Sequence, residues 1–441
     1  MDTKLDQIIE RLSGECPASS LEGIETRASW LRAVGEALEE RAGDFAVVMA
    51  EEMGKPVREG RAEAEKCAWV CRHYAQHAAS YLADEEVDTG RAGSTVGCAP
   101  LGTVLAIMPW NFPFWQAFRF VAPALVAGNR VLLKHASSVP RCAAAIAGLV
   151  AEASGRDDLL AVLEVPGREL APVIADARVA AVTFTGSTEA GRKVAETAGR
   201  SLKKSVLELG GSDPYLVLED ADVARAAAIC ARARMVNGGQ SCIAAKRLLV
   251  AAPVHDEFID ALREELASYV PGDPLDPETK LGPMARGDLR DELHAQVAAS
   301  VTDGTRLVMG GRIPDEPELR DRPYYPATLV TGVLPGMRLF DEETFGPAAA
   351  VTRVNGEKDG IELANRTNFG LGAAVFTGDP ERGHRVARKL RAGTVGVNAQ
   401  VVSDPRLPFG GIKESGWGRE LGAAGIREFV NLRTVVEEAV A

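Results

Sequence analysis

The chain has 441 residues, a formal net charge of -12, 46% hydrophobic and 25% charged residues. That length calls for two or three domains of a globular protein, and the negative balance argues against nucleic acid or an anionic membrane as a main partner. No apolar run approaches the roughly 20 residues of a membrane span, and Met1-Asp2-Thr3-Lys4-Leu5 lacks the basic and apolar regions of a signal peptide. The seven cysteines (Cys16, Cys67, Cys71, Cys98, Cys142, Cys230, Cys242) are odd in number and scattered, which implies a reducing, cytoplasmic setting. Cys67 and Cys71 lie four apart with His73 nearby, but further ligands at metal-site spacing are missing, so helix packing is expected and no metal.

In chain order, residues 24–53 and 57–82 carry helical periodicity and predict a helical hairpin. Residues 87–96 read as an extended ribbon that leaves the body and pairs with another subunit. From Leu101 the pattern changes. Short apolar strands at 104–107, 131–134, 161–164 and 180–184 alternate with helices at 115–127, 140–153 and 188–198. That alternation means βαβ units and a parallel sheet, whose ligands gather at the carboxyl ends of the strands. Asn111, Lys134 and Gly186 all fall at such ends. A strand at 205–209 leads through Gly210-Gly211-Ser212-Asp213-Pro214, the best domain boundary, into a second α/β region. There a strand (215–218), a helix (221–235), a strand (247–251) and a helix (254–268) precede a proline-rich loop at 271–283. Later strands are expected at 348–353, 373–376 and 394–397.

Three residues carry the chemistry. Cys242 stands in Asn237-Gly238-Gly239-Gln240-Ser241-Cys242-Ile243, where glycines allow close approach of a ligand. Taken alone it reads as a buried structural cysteine, the commoner fate of a lone thiol. Glu208 ends an apolar strand beside two glycines; desolvated there, its pKa would rise into the range of a general base. Taken alone it reads as a solvated edge residue. Together with the Asn111 amide they supply what oxidation of an aldehyde needs: a thiolate nucleophile, donors for the oxyanion, and a base for the water that releases the acid.

Six motifs in order give the resemblance. They are Pro109-Trp110-Asn111-Phe112-Pro113, Phe184-Thr185-Gly186-Ser187-Thr188-Glu189, Glu208-Leu209-Gly210-Gly211, Gly239-Gln240-Ser241-Cys242, Glu342-Glu343-Thr344-Phe345-Gly346-Pro347 and Pro408-Phe409-Gly410-Gly411. Over essentially its full length the chain resembles the aldehyde dehydrogenase superfamily. The resemblance implies an α/β fold with a Rossmann-type cofactor domain (1–83 and 100–209), an α/β catalytic domain (210–429) and a small β oligomerisation element (84–99 and 430–441) that suggests a homodimer or homotetramer. It implies Cys242 as nucleophile, Glu208 as base, and Asn111 with the Cys242 N–H as oxyanion hole. Lys134 would bind the adenosine ribose, and Gly186 and Ser187 would approach the pyrophosphate at a helix N-terminus. Glu343 would hold the nicotinamide ribose with Phe345 beside it, and Trp110 would line the cofactor cleft.

Ser137 stands where many NAD-preferring relatives carry an acid, so no charge would repel a 2′-phosphate, and NADP is expected ahead of NAD. The segments 239–247 and 403–411 look like the shorter succinate-semialdehyde dehydrogenases, which implies succinate semialdehyde, an aldehyde with a distal carboxylate, as substrate. Arg119 resembles a carboxylate-binding arginine of related semialdehyde enzymes, with Ser403 adding a hydrogen bond; read without the family it is a surface residue of an amphipathic helix. The chain departs from the pattern at Val236, where some relatives have a second arginine, at 398–402, and at Ala244, where some have a second cysteine. A dehydrogenase for another aldehyde is the alternative, and a non-catalytic binding protein on this fold the alternative from a different class.

Overall fold

The computed structural model describes residues 3–13, 23–91, 93–320 and 322–438. Cys16, residue 92 of the ribbon and residues 439–441 of the C-terminal segment lie outside the described residues. Helix α1 (Thr3–Ser13) is followed by α2 (Ile24–Glu40), α3 (Ala42–Met53) and α4 (Val57–Tyr81). The helix expected over 24–53 is thus two helices. Arg41 leaves helical geometry (φ -102°, ψ 17°), and the bend lets Leu31 and Leu38 of α2 and Phe45 and Met49 of α3 bury in one core with α4. Gly54 ends α3 in the left-handed conformation (φ 76°), as a helix terminus favours.

Strands β1 (Glu85–Glu86) and β2 (Gly93–Pro100) form an antiparallel ribbon. Its long strand β2 begins later than the expected 87–96, because Asp88 accepts the Gly90 N–H at 2.9 Å and Gly90 turns the chain at φ 71°. Next come β3 (Thr103–Met108), α5 (Trp115–Val126), β4 (Arg130–His135), α6 (Pro140–Ser154), β5 (Leu160–Val162), α7 (Ala171–Ala175), β6 (Val179–Thr185), α8 (Thr188–Arg200) and β7 (Lys204–Glu208). These strands pair in parallel. Every residue of β3 and β4 is buried, as parallel strands covered on both faces must be.

A second sheet contains β8 (Asp213–Val217), β9 (Ala245–Ala251), β10 (Arg306–Met309), β11 (Thr328–Thr331), β12 (Ala348–Val354), β13 (Gly372–Phe376) and β14 (Thr394–Val397), in the order β10-β11-β12-β9-β8-β13-β14. Helix α9 (Val223–Met235) leads to the cysteine turn before β9. Near its end the chain comes back twice. β15 (Gly416–Trp417) adds to β7 with Gly416 opposite Glu208, making the first sheet β15-β7-β6-β3-β4-β5. β16 (Val430–Glu437) adds antiparallel to β2. The return of β15 is invisible to periodicity, since two residues carry no pattern.

Candidate active site

The asparagine loop, the cysteine turn and the end of β7 converge because α4 and the chain's late segments tie them together. Glu63 on α4 accepts hydrogen bonds from the backbone N–H groups of Phe114 and Trp115, both at 2.9 Å. It thereby caps the start of α5 and sets the loop that carries Asn111. One turn earlier, Glu59 accepts the Asn237 N–H at 3.0 Å; burial lifts its pKa to about 7. One helix thus holds both the Asn111 loop and the cysteine turn.

The cysteine turn is wound left-handed through three residues: Asn237, Gly238 and Gly239 have φ of 54°, 60° and 74°. Asn is among the few side chains that tolerate this. Its amide donates to the carbonyls of Asn111 (2.7 Å) and Gln240 (3.1 Å). The Asn111 amide in turn donates to the Gln240 carbonyl at 2.9 Å. Gly239 has no alternative, since a Cβ there would lie 2.2 Å from the Gly346 carbonyl oxygen.

Beyond the turn, Cys242 is half-buried and its thiol is pushed up to about 12 by burial, against the pull of Lys246 and Arg119. Lys246 is fully buried. Its ammonium donates to the carbonyls of Ser241 (2.9 Å) and Cys242 (2.6 Å) and pairs with Glu343 at 3.3 Å. Glu343 also accepts the Gly211 N–H at 3.0 Å. Glu208 is buried, and neither carboxylate oxygen has a hydrogen-bond partner. Burial, then the Glu420 carboxylate, hold its pKa well above the usual carboxylate range, opposed by Arg119 and Arg419. Such an unsatisfied buried carboxylate is costly and marks a functional position.

A cavity of about 660 Å³ brings together Trp110, Asn111, Gly186, Ser187, Cys242, Glu343 and Phe345. Trp110 and Phe345 meet edge to face at 5.9 Å. Gly186 donates its N–H to the Glu208 carbonyl at 3.0 Å, and a Cβ on it would come within 2.5 Å of the Phe184 ring. Ser187 caps α8, accepting from the Ala190 N–H at 3.4 Å, so this helix opens its N-terminus toward the cavity. A second cavity of about 470 Å³ is lined by Lys134 and Ser137, with Glu164. Lys134 is buried and donates to the His135 carbonyl at 2.5 Å; burial lowers its pKa. Glu343, Phe345, Gly186 and Ser187 thus share one cavity and Lys134 and Ser137 the other, and these are the residues that could hold a dinucleotide.

Arg119 is not a surface residue. It is buried, ion-paired with Glu420 and stacked over the Phe409 ring at 4.9 Å. Ser403 accepts from the Trp115 indole at 3.1 Å and the Lys66 ammonium at 2.9 Å. Neither Arg119 nor Ser403 lines the 660 Å³ cavity. Sequence reasoning missed Glu59, Glu63, Lys66, Lys246 and Glu420. Only Lys246 offered a signal, its closeness to Cys242. Cys67 and Cys71 are buried in the packing of α4, which raises both thiols. Among the described residues no cluster of three or more His, Cys, Asp or Glu could hold a metal, and no helix is long and apolar enough to cross a membrane.

The model of the "Aldehyde dehydrogenase family" matches residues 4–435. A protein of Synechocystis sp. named "Probable succinate-semialdehyde dehydrogenase [NADP(+)]" is 47% identical over 409 residues, covering 93% of this chain and 89% of that protein. "Succinate-semialdehyde dehydrogenase [NADP(+)] 1" of Mycobacterium bovis is 43% identical over 437 residues, covering 98% and 95%. The solved succinic semialdehyde dehydrogenase from Streptococcus pyogenes in complex with NADP+ superposes with a TM-score of 0.95 at 33% identity, covering 100% of this chain and 96% of that one.

Proposed function

The chain belongs to the aldehyde dehydrogenase family, and on that premise we propose that it oxidises succinate semialdehyde to succinate with NADP as hydride acceptor. The observation that carries this reading is the likeness, over nearly the whole chain, to proteins named as NADP(+) succinate-semialdehyde dehydrogenases. Ser137 supports the cofactor choice, since it puts no charge where an acid would repel a 2′-phosphate.

In this reading each role falls to one side chain. Cys242 loses its thiol proton to solvent water and its sulfur bonds to the aldehyde carbon, whose oxygen takes the electron pair of the C=O bond; Lys246 and Arg119 ease that ionisation. The Asn111 amide and the Cys242 N–H stabilise the oxyanion. Glu343, Phe345, Gly186, Ser187, Lys134 and Ser137 would hold NADP, which would supply the hydride acceptor for oxidation at that carbon, the acyl group remaining as a thioester on Cys242. Glu208 accepts a proton from the water that attacks the thioester, and the acid leaves as the thiol is restored.

The chain divides in this reading into cofactor-binding (1–83, 100–209) and catalytic (210–429) domains, with 84–99 and 430–441 as an oligomerisation element. Support for the last is β16, whose exposed Leu432, Val435 and Val436 sit on an edge of the small sheet. The protein is then a homodimer or homotetramer of the cytoplasm. The direct test measures reduction of NADP and NAD in parallel on succinate semialdehyde, glutarate semialdehyde and uncharged aldehydes. A clear preference for succinate semialdehyde with NADP is expected; equal turnover of charged and uncharged aldehydes sinks the substrate reading. Cys242→Ala should lower turnover at least ~10³-fold.

A further inference from the structure

We propose that Arg234 is a positioning residue: it fixes the 344–348 segment, and with it Glu343 and Phe345, against the turn that carries Cys242. The role deepens the proposed function, which assigns Glu343 and Phe345 to the nicotinamide half of the cofactor. Arg234 lies in the last turn of α9, where a basic residue commonly faces solvent beside the helix carbonyls. Here the side chain is fully buried, and no carboxylate pairs with it among the described residues. Burial draws its pKa down to about 9, opposed by Glu343, so it stays charged at neutral pH. A desolvated charge without a counter-ion is costly, and well-aimed dipoles must offset it.

Those dipoles all belong to one segment. The Arg234 guanidinium donates from Nε to the Ala348 carbonyl at 2.7 Å, and from Nη2 to the carbonyls of Thr344 at 2.9 Å and of Gly346. Its Nη1 has no partner among the described residues. Residues 342–347 belong to no strand or helix; they link the short helix Arg338–Asp341 to β12. Carbonyls in such a stretch have no ladder to pair with. One planar fork, with donors in fixed directions, holds three of them in register.

The segment touches the chemistry on two sides. Glu343 immediately precedes it, with its carboxylate on Lys246 and the Gly211 N–H and its carbonyl accepting from Gln296 at 3.2 Å. Phe345 stands between two of the pinned carbonyls and meets Trp110 at the 660 Å³ cavity. On the other side, Gly239 of the cysteine turn packs directly on the Gly346 carbonyl oxygen, with no room for a Cβ. The carbonyl that Arg234 pins is therefore the surface on which the cysteine turn rests. One stretch of chain, from Arg234 to Cys242, thus carries the nucleophile and clamps the wall that faces it. A shift of that wall by about 1 Å is enough to cost on the order of 10² in rate.

The test compares wild type with Arg234→Lys and Arg234→Met, and takes Arg232→Met as control, since Arg232 is exposed on the same helical turn. Three quantities are read. They are the NADP dissociation constant by calorimetric titration without aldehyde, kcat on the fastest aldehyde of the panel above, and the rate of Cys242 alkylation by iodoacetamide without cofactor, followed by mass spectrometry. Arg234→Lys keeps the charge but loses the fork. It should weaken NADP binding about tenfold and lower kcat about tenfold, with alkylation within about twofold of wild type; either shift at unchanged alkylation supports the assignment. Arg234→Met should move the same two quantities further, and if it does not fold, Arg234→Lys carries the test alone. The control should move none of the three. NADP affinity and kcat both within about twofold in Arg234→Lys overturn the assignment. Alkylation slowed by the same factor as kcat also overturns it, because the whole site has then loosened. The cofactor reading fails separately, if wild type binds NAD and not NADP; the same measurements with NAD then test Arg234, because both cofactors share the nicotinamide half. Wild type that binds neither overturns both.

Discussion

Arg119 and Glu420 are paired in the interior, and both act on the charge of Glu208. The like charge of Glu420 raises the Glu208 pKa and Arg119 lowers it. Deletion of the Glu420 charge leaves the guanidinium free to favour the ionised base. A base works above its pKa and fails below it. Glu420→Gln should therefore move the acid limb of the kcat profile to lower pH, by about one unit or more. Steady-state rates from pH 5 to 9 read this directly, and an unmoved limb refutes the coupling whatever happens to the maximum rate.

Asn237 joins the two catalytic loops from a left-handed backbone position. Asn237→Ala loses both hydrogen bonds and puts a methyl group at φ 54°, which should cost about 2 kcal/mol of stability and lower kcat roughly tenfold. Asn237→Gly relieves the backbone but not the lost amide. It should recover part of the stability and none of the rate. Thermal unfolding and kcat on the two variants separate these contributions.

Asp213 is fully buried, accepting the Gly372 N–H at 3.0 Å while its second oxygen has no partner. Burial raises its pKa from 3.8 to about 7, against Lys246 and Arg247. The folded protein keeps this proton after the unfolded chain has released it. Stability from this group is thus present below about pH 4 and is lost as pH rises toward 7, on the order of 4 kcal/mol at most. Asp213→Asn should flatten the pH dependence of urea unfolding across that window.

Ser137 is exposed in the cavity that contains Lys134. Ser137→Glu introduces a carboxylate into that cavity, where the proposed reading puts the 2′-phosphate. KM for NADP should rise about tenfold with little change for NAD, measured with one aldehyde at saturation. An unchanged NADP to NAD ratio would put the preference elsewhere in the cavity, with Glu164 the next residue to vary.

Strands and helices of the two α/β regions were legible because a buried parallel strand is a short apolar run and a covering helix repeats every 3.6 residues. The ends of β3, β4 and β6 then pointed to Asn111, Lys134 and Gly186. The break at Arg41 was not legible, since it depends on what the flanking helices pack against, whereas the late start of β2 follows from the local Asp88–Gly90 turn. Similarly, Glu59 and Glu63 look like solvent-facing acids of an amphipathic helix until α5 and the cysteine turn are placed on them.

By itself the sequence determined the candidates: Cys242, Glu208 and Asn111 stand in local motifs whose order along the chain carries the resemblance to the family. Only the tertiary structure decided what stands against each cation. Arg119 looked free because its partner Glu420 comes from the far end of the chain, returned to the site by the pairing of β15 with β7. Lys66 is likewise enclosed only by residues far from it in the chain, Trp115 and Ser403. Charge in a protein interior is set by what is brought against it in space, and spacing along the chain does not carry that information.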